Sequence, residues 1–354
     1  MFFRPFSSFI SLCIMMFIAL EYMAPRVNPP HHLVYRDHVD LPPTYWPDIH
    51  HRAVSDSYNT LFKANSRGFK DVDHELRKPP GVYRVLLLGD EYVEGLPVPA
   101  GLEMGRVLEE IAGQHQVKLE VISLAMSGWG QSHQLQAYRN LGVLYDPDVV
   151  ITFFNPDDVH DNVGANAFHH LSEGALRENP PQILKPLSFA EELARQFLYP
   201  FEAFFVARNF ALSLPSRGAP PSRPWLEQPF DQDGDEARLM EGLLRTLKGE
   251  VIQNGDRRFL AVMTSQRLDQ SLPSQRAAFG KGLFRKLEVE VLDMHALLMD
   301  EYRLRRKVPY LSRQDPTWDH FGHSFTAKQI WRRMEELGWL KPSSLTKASG
   351  ETRL

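Results

Sequence analysis

The chain has 354 residues, 43% of them hydrophobic and 24% charged, with a formal net charge of −4. This composition excludes a disordered or collagen-like chain, and the length permits a sizeable core. No block of lysine and arginine stands out, which argues against nucleic acid as a partner. The single cysteine, Cys13, rules out an intrachain disulfide.

The N-terminus carries Arg4, then an apolar run from Phe6 to Leu20 closed by Glu21. That run is a little short of the roughly 20 residues that span a bilayer, and Tyr22, Met23 and Ala24 extend it into the interface. No small-x-small cleavage site follows. Residues 1–24 therefore read as a transmembrane signal-anchor, with a cleaved signal peptide and a buried helix as alternatives. Arg4 on the cytoplasmic side gives a single-pass inner-membrane protein whose main domain is periplasmic or otherwise extracytoplasmic. Residues 25–82, rich in proline, histidine and tyrosine, are expected to form an extended linker with short strands.

From Tyr83 strand and helix alternate. The pattern predicts a strand at Arg84–Leu88 and a helix at Gly101–Gly113 with Met104, Val107, Leu108 and Ile111 on one face. A strand at Val117–Leu124, a helix at Gln131–Tyr145 and a strand at Val149–Phe154 follow. Asn155–Asn162 reads as a polar loop. Residues 163–233 interrupt the alternation with many prolines and an aromatic cluster (Phe197, Tyr199, Phe201, Phe204, Phe205, Phe210). They predict an inserted helical subdomain, with helices at Ser188–Tyr199 and Phe201–Leu212, serving as core, lid or contact surface.

Alternation resumes with a helix at Asp235–Gln253, where Leu239, Leu243, Leu247 and Val251 share a face. A strand at Phe259–Thr264, a helix at Ser274–Lys286 and a strand at Val289–Leu292 come next. The chain runs on through Met294–Tyr302 and a loop at Arg306–Gly322 to a final helix, Ser324–Leu337. That helix carries Ala327, Ile330, Trp331 and Met334 inward and is capped by Gly338. Residues 341–354 form a polar tail. Residues 83–162 and 234–340 thus predict one α/β domain, a three-layer sandwich around a mostly parallel doubly wound sheet. Its site should lie beyond the carboxyl ends of the strands. Loops 89–98, 126–131, 155–162 and 313–323 meet there. The histidine pairs His31-His32, His50-His51 and His169-His170 fall in loop-like chain and read as solvated.

Five stretches at or beside those loops carry recognisable patterns. They are NSRGFKD at 65–71, GDEYVEGLPVP from Gly89, SLAMSGWGQ from Ser123, YDPDVVITFF with DDVHDN after it, and DPTWDHFGH from Asp315. In this order the chain resembles the SGNH (GDSL-type) hydrolases, and more narrowly their membrane-anchored bacterial branch. The resemblance covers roughly residues 60–160 and 235–340. In active members of that family a serine attacks an ester carbonyl, histidine takes its proton, and aspartate orients the histidine. The serine amide, a glycine amide and an asparagine side chain hold the oxyanion.

Carried over position by position, the family's nucleophile falls on Glu91 and its glycine on Gly128. Its asparagine falls on Asp157, its aspartate on Asp315 and its histidine on Thr317. Only glycine and aspartate are kept. The resemblance therefore implies the fold without an intact catalytic set: a pseudoenzyme acting as a structural or binding subunit of a membrane or envelope complex. Its contacts would be made by the 1–24 helix and the 163–233 insertion. A shifted loop would instead bring His320 into the pocket, since His320 and His323 lie close to the expected histidine. Ser127 reads as shaping its turn or capping the next helix.

Two enzymatic alternatives stand beside that reading. One is a divergent esterase, O-acetyl hydrolase or transferase acting on envelope glycans. The other is a metal-dependent hydrolase using Asp90, Glu91, Asp157, Asp315 and His320 as ligands. Against the metal reading stands a dead site in which Asp90 satisfies backbone amides and Glu91 finds an arginine or points to water. No cofactor is called for.

Overall fold

The computed structural model describes residues 11–16, 34–54, 57–163, 167–180, 189, 230–253, 255–264, 275–306, 309–310 and 317–340. Of the expected anchor, 11–16 are helical, and the remainder of 1–24 lies outside the described residues. Among the described residues no helix is long and apolar enough to cross a membrane. The two helices expected within 188–212, apart from Phe189, and the tail 341–354 also lie outside them.

Two antiparallel pairs come first. β1 (Tyr35–Arg36) pairs with β2 (Thr44–Tyr45), and β3 (His50–Val54) with β4 (Asn59–Lys63). The central sheet is built from β5 (Tyr83–Gly89), β6 (Leu119–Ala125) and β7 (Val149–Phe154). A hairpin of β8 (His169–Ser172) and β9 (Ala175–Glu178) stands apart. β10 (Arg258–Met263) and β11 (Glu290–Asp293) complete the sheet. All five central strands are parallel, in the order β11-β10-β7-β5-β6.

This is the doubly wound order in which the second strand turns to one side of the first and the rest to the other. The direction of winding reverses between β5 and β7, which opens a crevice at their carboxyl ends. Val85 through Leu88 are each fully buried, because β5 is covered on both faces. Leu86, Leu88, Val150 and Phe154 pack with Leu135, Leu243 and Phe284 on one side. Val85, Leu87, Ile151 and Phe153 pack with Leu108, Leu298 and Ile330 on the other. Burying each leucine contributes about 1.5–3 kcal/mol.

The helices are α1 (Glu91–Glu94), α2 (Met104–Gln114), α3 (Gln131–Asn140), α4 (Asp158–Asp161) and α5 (Asp235–Gln253). After them come α6 (Gln275–Lys286), α7 (Met294–Arg305) and α8 (His320–Glu336). The helix expected over Gln131–Tyr145 is broken: α3 stops at Asn140 and a 3-10 turn covers Gly142–Tyr145. At Gly142 the backbone lies so close to Leu86 that a Cβ would sit 2.7 Å from it. α8 starts at His320, not Ser324, because Asp319 accepts the Phe321 and Gly322 N–H groups at 2.8 and 3.0 Å. The expected loop after β7 contains the single turn of α4.

Side chains cover the exposed edge of β6. Asp71 accepts Ser123 N–H at 2.8 Å, Glu109 accepts Val121 N–H at 2.7 Å, and Arg106 donates to Val121 O. Arg106 also bridges both acids, so NSRGFKD ends in an edge guard that blocks further strand pairing. Arg84, fully buried, donates to Leu76 O, Tyr145 O and Glu75 O at 2.7–2.9 Å and to Glu120. It fastens the segment before β5 to the sheet.

The histidine pairs depart from expectation. Neighbours on a strand point apart, so His50 and His170 are exposed while His51 and His169 are buried. Arg139 Nη1 lies 3.3 Å from His169 Nε2, which leaves Nδ1–H to donate to Ser132 Oγ at 3.0 Å. Burial and Arg139 lower the His169 pKa to about 4. His31 and His32 lie outside the described residues.

Candidate functional site

The crevice between β5 and β7 is built from the loops that leave those strands and β6. β5 ends at Gly89, and Asp90 caps α1 by accepting Tyr92 N–H at 3.0 Å. α1 is a single turn because Gly95 stops it in the left-handed conformation, φ +60°. His323 packs under Gly95, so that a Cβ there would lie 2.5 Å from its ring. After β6, Gly128 (φ +80°) turns the chain toward α1. Its N–H points at the Glu91 carboxylate, with Oε2 at 3.4 Å.

A cavity of about 380 Å³ lies over this contact. Glu91, Gly128, Asp157 and Thr317 all line it, so four of the five family positions come together. The fifth, Asp315, lies outside the described residues. Ser127, Asp161 and Tyr58 complete the polar part of the wall. The Glu91 carboxylate faces the Gly128 amide, the position where the resemblance places an oxyanion donor.

Among the described residues the members of the proposed metal set are not brought together, and Asp315 lies outside them. Asp90 is buried away from the cavity, where Asn155 Nδ2 donates to it at 3.2 Å. Burial, with Glu91 adding to it, holds the Asp90 carboxyl well above the usual carboxylate range. Its neighbour Asp158 is fully buried, accepts from Gln131 Nε2 and Asn155 N–H, and is raised by burial and by Asp90. His320 is exposed at the start of α8 and does not line the cavity. Among the described residues no three His, Cys, Asp or Glu side chains are placed to hold a metal.

His323 does not replace the missing histidine either. It is fully buried, its Nδ1 accepts Met104 N–H at 3.1 Å, and burial lowers its pKa to about 3. Trp318, directly after Thr317, is fully buried and stands edge-on to Tyr92 at 5.0 Å. That anchors the register in which Thr317 faces the cavity.

Sequence reasoning missed three contributors. Tyr58 comes from a segment read as linker. Asp161 falls within the stretch that reads as a polar loop and ends α4. Glu94 lies beneath the cavity floor, accepting the Tyr45 hydroxyl at 2.6 Å and the Ser127 N–H and hydroxyl at 2.9 and 2.5 Å. Burial raises its pKa, opposed by those bonds and by Lys70. Its signal was an acid at the end of GDEYVEG, spaced to fall on the inner face of one helical turn. Ser127 therefore shapes its turn, as expected, through a partner that the sequence did not name.

Neither a family model nor a curated protein matches the chain. Among solved structures it is similar to a lipase/acylhydrolase from Enterococcus faecalis, at 12% identity and a TM-score of 0.41, covering 73% of this chain and 98% of that one. An acetyl xylan esterase is similar at 11% identity and TM-score 0.42, covering 71% and 98%. A G-D-S-L family lipolytic protein from Desulfitobacterium hafniense is similar at 12% and 0.41, covering 70% and 98%. The chain's own topology is a doubly wound α/β fold: a parallel sheet wound in this order, with the sequence blocks at the carboxyl ends of its strands.

Proposed function

We propose that the chain is a catalytically inactive SGNH-like domain, anchored in the inner membrane by residues 1–24, that serves as a binding or structural subunit of a membrane or envelope complex. One observation supports this above others. A carboxylate stands at the nucleophile position and faces the oxyanion amide, Glu91 Oε2 to Gly128 N–H at 3.4 Å. A glutamate there is a poor acyl acceptor, since the anhydride it would form is labile and, among the described residues, no imidazole lines the cavity to assist. An ionised Asp157 repels an oxyanion where asparagine would donate to it. One lost oxyanion donor costs about 3–4 kcal/mol, and lost triad members leave little serine catalysis.

The proposal gives partner contacts to residues 1–24 and 163–233 and puts the main domain on the extracytoplasmic side. The test is fractionation of the full chain against a form lacking 1–24, with co-purification from solubilised membranes. The account expects the shortened, folded form to leave the membrane fraction. A shortened form that stays there without a partner contradicts the anchor.

A divergent esterase, or an O-acetyl hydrolase or transferase acting on envelope glycans, is the competing reading. Ser127 favours it, because this serine lines the same cavity and its hydroxyl donates to a carboxylate. Of its ligand set, the metal-dependent alternative finds Glu91 and Asp157 among the described residues that line the cavity. It requires a divalent cation to stabilise the protein thermally and Glu91→Ala to remove that effect.

A further inference from the structure

One carboxylate joins three parts of the chain that lie far apart in sequence. Glu94 is 2% exposed at the end of α1. One of its oxygens accepts the Tyr45 hydroxyl at 2.6 Å. The other accepts both the N–H and the hydroxyl of Ser127. Tyr45 belongs to β2, in the segment that leads in from the N-terminus, and Ser127 adjoins Gly128 in the cavity wall. Tyr45 is itself held firmly. Its N–H donates to Gly68 O at 2.9 Å, its ring stacks on Tyr35 at 5.0 Å, and Phe62 meets it edge-on at 5.1 Å. The same segment supplies Tyr58 to the cavity wall, and Thr60 Oγ1 donates to Pro97 O beside it at 3.3 Å.

We infer that Glu94 is a positioning residue that couples the N-terminal segment, residues 34–69, to the glycine turn of the pocket. A buried carboxylate oxygen that loses its donor is costly to leave unpaired, so the two ends of this bridge are held or released together. A load or partner acting on residues 34–69 then reaches the Gly128 amide. By reciprocity, occupancy of the pocket reaches the N-terminal segment. This deepens the binding-subunit reading and rests on it only for how the coupling is used.

Hydrogen exchange on the full chain, followed by mass spectrometry, tests the coupling. Tyr45→Phe removes one hydroxyl at the N-terminal end, and Ser127→Ala removes one at the pocket end. Tyr45→Phe should speed exchange of the 127 and 128 amides about fivefold or more, and Ser127→Ala should do the same for the 45 amide. α5 serves as the control that the domain stays folded. Glu94→Gln keeps the side chain's shape, loses one acceptor oxygen, and should loosen both ends. Faster exchange confined to the mutated end, with the other end at the wild-type rate, overturns the inference, as does a Glu94→Gln variant that exchanges like wild type. Fractionation of the unmodified chain reports separately on the anchor, so the two ideas fail independently.

Discussion

Glu91 and Gly128 face each other across the pocket floor, with the carboxylate Oε2 3.4 Å from the amide nitrogen. On the proposed reading, the amide that holds an oxyanion in active family members is thereby turned toward a resident carboxyl group. Glu91→Ser alone should release that amide and still give no ester turnover, since Asp157 and Thr317 remain. With Glu91→Ser and Thr317→His in place, adding Asp157→Asn should raise kcat by about 10²–10³-fold through the restored donor. Steady-state turnover of a chromogenic acetate ester checks both statements.

Asp90 and Asp158 make stability depend on pH in a definite direction. Burial raises both well above their ordinary 3.8, and each is raised further by a neighbouring acid, Glu91 for Asp90 and Asp90 for Asp158. The native chain then holds protons that the unfolded chain has released. Their stabilisation is complete below about pH 4 and is lost as pH rises through the folded values. Buried His51, His169 and His323, lowered to about 4, 4 and 3, act oppositely and cost stability as pH falls below 6.5. The difference between wild type and Asp158→Asn isolates the acid term. The variant's urea midpoint should gain on wild type as pH rises above about 4.

Gly95 has both a left-handed backbone and a filled neighbourhood, with φ +60° and His323 beneath it. Gly101 has a left-handed backbone, φ +89°, and open space. Gly101→Ala should cost about 1–2 kcal/mol from its backbone alone. Gly95→Ala should cost about 1–3 kcal/mol more, from overpacking against the ring. Chemical denaturation of the two variants separates these contributions.

Arg84 gives the sheet a buried polar anchor. Arg84→Met fills similar space but leaves the Glu75, Leu76 and Tyr145 carbonyls without their donor. A loss of about 3–5 kcal/mol is expected, read as a lower urea midpoint.

Much of this architecture is legible in the residues. The unbroken apolar run of β5 marks a strand covered on both faces, and Leu239, Leu243, Leu247 and Val251 are all buried as their spacing requires. The pocket positions follow from the blocks, and Glu91, Gly128, Asp157 and Thr317 do meet. The rest depends on contacts between distant segments that no local periodicity encodes. Tyr45 and Tyr58 belong to a stretch without regular pattern, yet Tyr58 lines the site's wall and Tyr45 holds Glu94 behind it. The acids Asp90 and Glu91 are adjacent letters, but the start of α1 turns one into the core and the other into the cavity. His169 reads as solvated because the hairpin that buries one histidine of the pair carries no strong strand signal.

The central claim is that no serine in this SGNH-like fold works as a nucleophile. Exposing the full chain to a serine-directed fluorophosphonate probe tests it most directly. The account predicts no labelling above that of heat-denatured protein, and the same result for Ser127→Ala. Labelling of the folded wild type that disappears when one particular serine is replaced would contradict it and turn the pocket back into an active site.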